Sequence, residues 1–244
     1  MKDRNEIMRF FGLHPQNDVR RRFAFTLAEV LVTLGIIGVV AVLTVPNVIS
    51  SYQKKVYVAQ LQKVYNQISN AVALLMVDEE VDNLNDSSLY CSRNEDDEIC
   101  YEKLKNFFNK YFKLSKDCGI DDSRLDCLAD KYKVSWNEEE FFYANPFWWY
   151  CVILNSGASL CLSNPNENLP LSIKVDINAK KKPNTFGRDA FSFDMNYVGD
   201  IAESFDPTAE GKEMHNPERC QEKNNGYSLG CFTKIINDGW KMDY

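Results

Sequence analysis

The sequence predicts an α+β protein that has a long N-terminal helix, a small antiparallel β-sheet head and disulfide-closed loops. The first observation is an apolar run from Phe25 to Pro46, which has about the 20 residues that a membrane-spanning helix needs. The second is that a helical period continues after this run, whereas an aromatic and β-branched pattern typical of strands begins at Phe141. The third is that all eight cysteines lie beyond the apolar run.

A basic leader, residues 1–24, precedes the apolar run. It contains six basic and three acidic residues, so the chain from Phe25 onward has a net charge of −10, against −7 for the whole sequence. Three arginines at positions 20–22 directly precede the run, and the positive-inside rule therefore predicts a cytoplasmic N-terminus. The acidic remainder argues against a broad nucleic-acid surface.

Glu29 is the one ionisable residue in the apolar run. An ionised carboxylate among apolar side chains in a membrane costs about 2.5–3.5 kcal/mol unless it has a partner. A cation and hydrogen-bond donors can hold such a carboxylate in a buried place. The alternative is a membrane glutamate that is neutralised by protonation.

The order of these residues resembles the class III signal of type IV pilins and type II secretion pseudopilins. The elements are a basic leader, Ala24, Phe25, a glutamate (Glu29) at the fifth position from that Phe and a proline (Pro46) at the twenty-second. The resemblance implies that prepilin peptidase cuts between Ala24 and Phe25 and that the new amine of Phe25 is N-methylated. It also implies that Glu29 pairs with the amine of a neighbouring subunit. The residue before the cut is usually Gly, and here it is Ala24.

With this resemblance, the chain divides into a leader (1–24), a transmembrane or filament-core helix (25–46), an amphipathic helical half (47–77) and a globular head (78–244). The fold implied is pilin-like, with the long helix packed on the sheet. The partners implied are other pilin or pseudopilin subunits, the prepilin peptidase and methyltransferase, and an inner-membrane assembly platform. The location implied is a single pass through the inner (cytoplasmic) membrane with a periplasmic or extracellular head, and later a filament.

The remaining secondary structure follows from periodicity and turn residues. Apolar residues at spacings of three and four predict a helix to about Met76. Residues 78–100 are acidic and predict a solvated loop, residues 101–114 predict a short amphipathic helix, and residues 115–140 predict irregular structure. A hairpin is predicted around Asn155-Ser156-Gly157, followed by strands at Leu171–Asp176 and Ala190–Met195.

The cysteines indicate disulfides in an oxidising compartment and not zinc, because there is no CxxC motif and the chain has two histidines. Eight cysteines allow 105 arrangements. The simplest arrangement joins neighbours in sequence, and two of the cysteines lie almost symmetrically about the predicted hairpin turn. The resemblance to pilin heads also implies the last pair. The pairs are Cys91–Cys100, Cys118–Cys127, Cys151–Cys161 and Cys220–Cys231.

The loop between the two predicted strands contains four oxygen-bearing side chains, Asp176, Asn178, Asn184 and Asp189. The segments VDIN and KKPNTFGRDAFSF resemble a head element of pilin-like proteins related to the major pseudopilin. Oxygen ligands on a short loop suit Ca²⁺, although the four basic residues at 180–182 and 188 oppose a cation. The alternative is a network of Asx turns in which these side chains cap backbone amides. No other cofactor is expected.

Four consecutive aromatic residues, 147–150, predict either sheet core with a subunit interface or a carbohydrate-binding platform. The sequence contains no phosphate-binding loop and no metalloprotease helix, and His215 stands alone, so no enzyme is predicted. The function expected is that of a structural subunit of a type IV pilus-like or type II secretion pseudopilus-like filament. The alternative is a single-pass membrane-anchored extracytoplasmic binding domain (adhesin or carbohydrate-recognising) or a minor tip pilin.

Overall fold

The computed structural model describes residues 26–120, 126–134, 137–142, 149–166, 171–199, 201–202, 216–220 and 229–244. The chain divides into two compact units, residues 1–48 and 49–244. The described part of the first unit is helical. The described part of the second unit combines helices with one sheet, so the coarse prediction of an α+β protein with a long N-terminal helix is confirmed.

Helix α1 extends from Leu27 to Asp78 and includes Pro46 without a break. Its second half is amphipathic, as predicted, and it ends two residues after the expected Met76. The buried side chains recur at spacings of three and four and form one stripe. They are Val58, Leu61, Val64, Ile68, Ala71, Val72 and Leu75.

Helix α2 extends from Asp97 to Tyr111. The prediction began this helix four residues late, because the acidic residues before it look like loop. They are instead a start signal: the Asp96 carboxylate accepts a hydrogen bond from the amide of Glu98 at 3.0 Å. The region predicted as a solvated loop also contains a 3₁₀ turn at Leu84–Asp86, in which Leu84 is fully buried.

Within the described residues the sheet has nine strands, in the order β1-β4-β5-β6-β8-β7-β2-β3, and β9 pairs with β8. Strand β7 runs parallel to both β2 and β8, whereas the other described pairs are antiparallel. The predicted small antiparallel sheet is therefore wrong: the sheet is mixed and larger. The strands are β1 Leu114–Gly119, β2 Lys131–Val134, β3 Asn137–Phe142, β4 Tyr150–Leu154, β5 Ser159–Ser163, β6 Leu171–Asp176, β7 Thr185–Phe186, β8 Ala190–Met195 and β9 Ile201–Ala202.

The prediction of irregular structure at 115–140 is also wrong, since β1, β2 and the start of β3 lie there. These strands contain many charged residues, and β1 and β3 form the two ends of the strand order. Charged side chains are common on edge strands, where they prevent further pairing, and they hide the apolar alternation that marks a strand. The predicted hairpin (β4 and β5) and the strands β6 and β8 are confirmed.

The core of the second unit lies between the α1 stripe, the sheet and helix α3, Leu229–Asn237. The rings of Phe193 on β8 and Phe232 on α3 stack with centroids 3.8 Å apart. The ring of Tyr65 on α1 lies 5.9 Å from that of Phe232 and 6.3 Å from that of Phe193. Aromatic contacts therefore connect all three elements.

All eight cysteines are paired, and the pairs are the four sequential ones: 91–100, 118–127, 151–161 and 220–231. Cys151 and Cys161 are direct cross-strand partners in the β4–β5 register. The 118–127 bridge ties β1 to the segment before β2, and the 220–231 bridge ties α3 to the 3₁₀ turn at Pro217–Arg219. The bridges therefore fasten loops and edges to the core.

Replacing Phe193 by Ala is expected to lower the free energy of unfolding of the oxidised protein by about 3–5 kcal/mol, because it removes a fully buried ring. Urea unfolding in detergent, followed by tryptophan fluorescence, measures the change. The control is Val198→Ala, whose side chain is 57% exposed and whose loss should be nearly neutral. Equal stabilities for the two variants would contradict the role given to this ring.

Candidate functional site

Glu29 is part of a reciprocal cap at the start of α1. Its carboxylate oxygen Oε2 accepts hydrogen bonds from the Thr26 amide at 2.8 Å and the Thr26 hydroxyl at 3.0 Å. In return, the Glu29 amide donates to Thr26 Oγ1 at 3.2 Å. This is a capping box, in which a Thr and a Glu three residues later satisfy each other's amides. The T-x-x-E spacing of Thr26 and Glu29 is the sequence signal for this cap, which the sequence analysis missed.

The other carboxylate oxygen of Glu29, Oε1, makes no hydrogen bond to the described residues. The side chain is exposed, so this oxygen is accessible to a donor from another molecule. A carboxylate oxygen can accept a cationic donor while its partner oxygen stays hydrogen-bonded. The cap therefore orients the carboxylate and leaves Oε1 able to accept a further hydrogen bond.

The helix around Glu29 presents apolar side chains on every side. Each Leu, Ile and Val of residues 27–48 is exposed, from 42% at Val30 to 79% at Leu27. The two hydroxyls in this stretch bond to carbonyls of their own helix: Thr33 to Val30 at 2.9 Å and Thr44 to Val40 at 2.9 Å. By length and composition α1 can cross a membrane, since an 18-residue window has a mean hydropathy of 2.4.

Pro46 lies inside α1, and the helix is continuous through it. A proline has no N–H, so the carbonyl of Val42, four residues earlier, receives no helical hydrogen bond from it. The helix therefore continues through Pro46 with one hydrogen bond fewer.

In the head, the four predicted oxygen-bearing residues do come together, between β6 and β8. Asp189 accepts hydrogen bonds from the Asn184 amide at 2.8 Å, the Thr185 amide at 2.6 Å and the Asn178 side-chain amide at 3.2 Å. Asp176 accepts a bond from the Asn178 amide at 3.1 Å. These bonds form the Asx-turn network that was one of the two alternatives.

Tyr132 on β2 is a member of this cluster that sequence reasoning missed. Its hydroxyl donates to Asp176 at 2.6 Å and accepts the Ala129 amide at 3.2 Å. No local spacing links Tyr132 to Asp176, which is 44 residues away. Their contact depends on β7, which pairs with both β2 and β8 and so brings β2 beside the loop.

The two carboxyl groups of the cluster are strongly buried, with exposures of 1% for Asp176 and 0% for Asp189. Burial, with a smaller contribution from the neighbouring Asp189, raises the pKa of Asp176 to about 8. Burial also raises the pKa of Asp189, against the effect of the amides that donate to it. The cluster is therefore sensitive to pH in the neutral range.

The donor set of the cluster fits the kind of ligands that Ca²⁺ takes. The Oδ1 atoms of Asn178 and Asn184 are buried and accept no hydrogen bond among the described residues. Together with two carboxylates they offer four oxygen ligands. The carboxylate oxygens already accept amide and hydroxyl hydrogens, which a cation would have to share. Asp176, Asn178, Asn184 and Asp189 would hold such an ion.

A second feature of the head is a cavity of about 580 Å³ beside the Cys91–Cys100 disulfide. It is lined by the half-buried Trp149, the aromatic ring of Tyr101 and polar side chains from two directions. The ammonium of Lys174 lies 4.0 Å from the centroid of the Trp149 ring. The polar lining residues are Ser92, Arg93, Glu95, Asp97, Ser163, Asn164, Asn166 and Ser172.

The aromatic residues Phe147 and Trp148 fall outside the described residues, as do the predicted cleavage residues Ala24 and Phe25. Of the four aromatic positions, Trp149 lines the cavity and Tyr150 is buried in the core. Among the described residues, Cys91, Glu95 and Cys100 lie close enough to ligate a metal, but both sulfurs are joined in the disulfide. The chain matches no protein-family model, no curated protein and no solved structure.

The head should lose stability as the pH rises from about 4 to about 8. Asp176 keeps its proton in the fold up to about pH 8, whereas the unfolded chain releases it near pH 4, so rising pH favours unfolding. One such group changes the unfolding free energy by at most about 1.4 kcal/mol per pH unit. Unfolding temperatures between pH 5 and 8, with EDTA present, measure this slope.

Asp176→Asn should flatten that slope, because the amide is neutral at every pH, and the exposed Asp82→Asn is its matched control. Burial lowers the pKa of Lys174 to about 8, so Lys174 is protonated in both the folded and the unfolded chain below that pH and adds to the pH slope only above this range. A slope that is the same in the Asp176 variant and in the unmodified protein would exclude this carboxyl as its source.

Proposed function

We propose that this protein is a structural subunit of a type IV pilus-like or type II secretion pseudopilus-like filament. The observation that supports this best is the state of Glu29. Thr26 holds the Glu29 carboxylate at the start of α1, and the other carboxylate oxygen makes no hydrogen bond to the described residues. The Leu, Ile and Val side chains of residues 27–48 are all exposed. Such a helix needs other helices or lipid around it, and such a carboxylate needs a cation.

The capping box gives Glu29 a role both before and after assembly. In a single subunit, the Thr26 amide and hydroxyl satisfy one carboxylate oxygen and lower the cost of placing the charge near the membrane. In the filament, the open oxygen accepts the amine of a neighbouring subunit. Because that amine exists only after the leader is removed at Phe25, assembly depends on cleavage.

The driving force for assembly is burial of the apolar half of α1 among the same halves of neighbouring subunits. At about 25 cal/mol per Å² of apolar area removed from water, burial favours a helical bundle strongly over exposure to water. Against lipid the gain is smaller, since lipid tails are themselves apolar, and close packing and specific polar pairs decide the association. The ion pair between Glu29 and the amine of a neighbouring subunit then favours one axial register of the helices over others that pack about equally well.

The rest of the proposal follows from the leader and the cysteines. Prepilin peptidase cuts the chain before Phe25 and methylates the new amine, and an inner-membrane platform extracts the subunit into the filament. The head is a pilin-like domain in the periplasm or outside the cell, where the four disulfides form. The partners are other subunits of the same kind.

Glu29→Gln separates the charge of Glu29 from its capping role. Glutamine keeps the amide-accepting oxygen of a capping box but has no charge to pair with an amine. In cells that contain the peptidase and the assembly machine, we expect Glu29→Gln to reduce sheared filaments to less than about a tenth, since breaking a buried ion pair costs about 3–5 kcal/mol. Immunoblots of the sheared fraction measure this.

Thr26→Val is the matched control, because it removes the hydroxyl of the cap but keeps the carboxylate charge. It should assemble nearly as well as the unmodified chain. Intact mass of the membrane-extracted protein shows whether each variant is cut before Phe25 and retains four disulfides. Normal filaments from Glu29→Gln, or recovery of only uncut protein from the unmodified chain, would refute the proposed function.

A second candidate function is carbohydrate recognition by the head, either as an anchored domain or as a minor tip subunit. The cavity beside Cys91–Cys100 favours it, since an indole, a phenol and several polar side chains converge on one space. Sugars bind through stacking on aromatic rings and hydrogen bonds to hydroxyl groups. This function does not depend on Glu29.

Under this second candidate, Trp149→Ala should abolish a change in tryptophan fluorescence that oligosaccharides produce in the unmodified full chain. Trp240→Phe is the control, since Trp240 does not line this cavity. Titration of both proteins with a panel of neutral and acidic oligosaccharides measures the effect. Absence of any saturable response in the unmodified protein would remove this candidate.

A further inference from the structure

A second cleft, of about 480 Å³, lies between α1 and the segment that follows α3. Three lysine side chains line it: Lys54 and Lys55 from α1 and Lys241 from the segment after α3. Trp240 forms part of its wall, and Asp243 is the one acidic side chain among the lining residues. The cleft therefore has three positive groups and one negative group.

The segment that contributes Lys241 is held firmly against the head. The amide of Trp240 donates to the carbonyl of Ile235 at 2.8 Å, and its ring lies 5.6 Å from that of Tyr65. Further along, the Tyr244 hydroxyl donates to the Gly187 carbonyl at 2.8 Å. The position of the Lys241 backbone relative to α1 is thus set by packing on both sides.

Two of the three ammonium groups have neither a hydrogen-bond partner nor an ionic partner within the described residues. Lys54 donates to the carbonyl oxygen of Tyr244 at 2.5 Å, whereas neither Lys55 nor Lys241 forms an ion pair there. A carboxylate oxygen of Asp243 lies 4.0 Å from the ammonium of Lys234, which does not line the cleft. Part of the negative charge of Asp243 is therefore compensated outside the cleft. Residues 49–244 have 22 basic and 31 acidic side chains, so this cleft is a basic site on an acidic body.

The cleft lies just after the end of the exposed apolar surface. Ile49 is 50% exposed and Tyr52 is 67% exposed, and Lys54 follows Ile49 by five residues, or about 8 Å of helix rise. Tyrosines and tryptophans concentrate at the level of lipid headgroups, and lysines beside a membrane attract anionic lipids. We infer that the Lys54, Lys55 and Lys241 cleft binds the phosphate of an anionic phospholipid headgroup.

A lipid is favoured over a soluble anion or a second copy of the chain by location and charge. If α1 spans a membrane, headgroup phosphates are present at this depth at high local concentration. Two copies of the head would each carry the same net negative charge and would repel each other. The inference rests on the membrane anchoring in the proposed function but not on filament assembly. The headgroup would bind before assembly, while the subunit is still anchored in the membrane.

The test is native mass spectrometry of the full chain in mild detergent, titrated separately with dioleoyl phosphatidylglycerol and dioleoyl phosphatidylcholine. The expected result is preferential retention of phosphatidylglycerol. Lys55→Gln and Lys241→Gln should each lower that retention about fivefold, and the double variant should lower it further. Lys63→Gln is the matched control, because Lys63 is an exposed lysine on the same helix outside the cleft.

Equal retention of the two lipids, or unchanged retention in the double variant, would overturn the lipid site. A dimer that the double variant loses, without any lipid preference, would assign the cleft to a second copy of the chain instead. Alkaline extraction of membranes tests the anchoring separately. A chain that alkali releases would overturn the anchoring itself, whereas a retained chain without lipid preference overturns the headgroup site alone.

Discussion

The rest of this molecule depends on how the apolar surface of one 52-residue helix is covered. From Val58 onward, a single stripe of that helix packs against the sheet and α3, and the opposite side is mostly polar, with Leu74 and Val77 as exposed aliphatic residues. Between Leu27 and Val48 every Leu, Ile and Val side chain is exposed, so no stripe can be distinguished. The same element therefore completes the core of one unit, whereas the described part of the other unit contains no buried apolar side chain.

Polar groups along the helix are arranged to suit that division. In the apolar half the hydroxyls of Thr33 and Thr44 bond within the helix, and Glu29 is bound by Thr26, so few donors require water. Beyond Ile49 the first charged residues, Lys54 and its neighbour, appear together. Polar groups that form hydrogen bonds within the helix suit apolar surroundings, and charged side chains suit water. The change from one kind to the other is therefore the pattern of a helix that leaves apolar surroundings for water.

In the head, the polar groups of the loop between β6 and β8 also form their hydrogen bonds within the protein. Two buried carboxyl groups, Asp176 and Asp189, replace regular sheet bonding by accepting amide and hydroxyl hydrogens. Burial raises the pKa of both carboxyl groups. The free energy that it costs to bury them in this loop therefore depends on whether they are protonated. The two-residue strand β7 runs parallel to β8 with only residues 187–189 between them, and it also runs parallel to β2, so the sheet is mixed.

By itself, the sequence determined the elements that have strong local periodicity: both halves of α1, the β4–β5 hairpin, β6 and β8. It also suggested the four cysteine pairs and the grouping of Asp176 with Asp189, because residues close in sequence have few ways to separate. Only the tertiary structure decided the strands β1 to β3 at 114–142, the parallel β7 and the contact of Tyr132 with Asp176. These depend on pairing between distant segments, where charged edge residues mask the strand pattern and the free energy comes from neighbours that no local window contains.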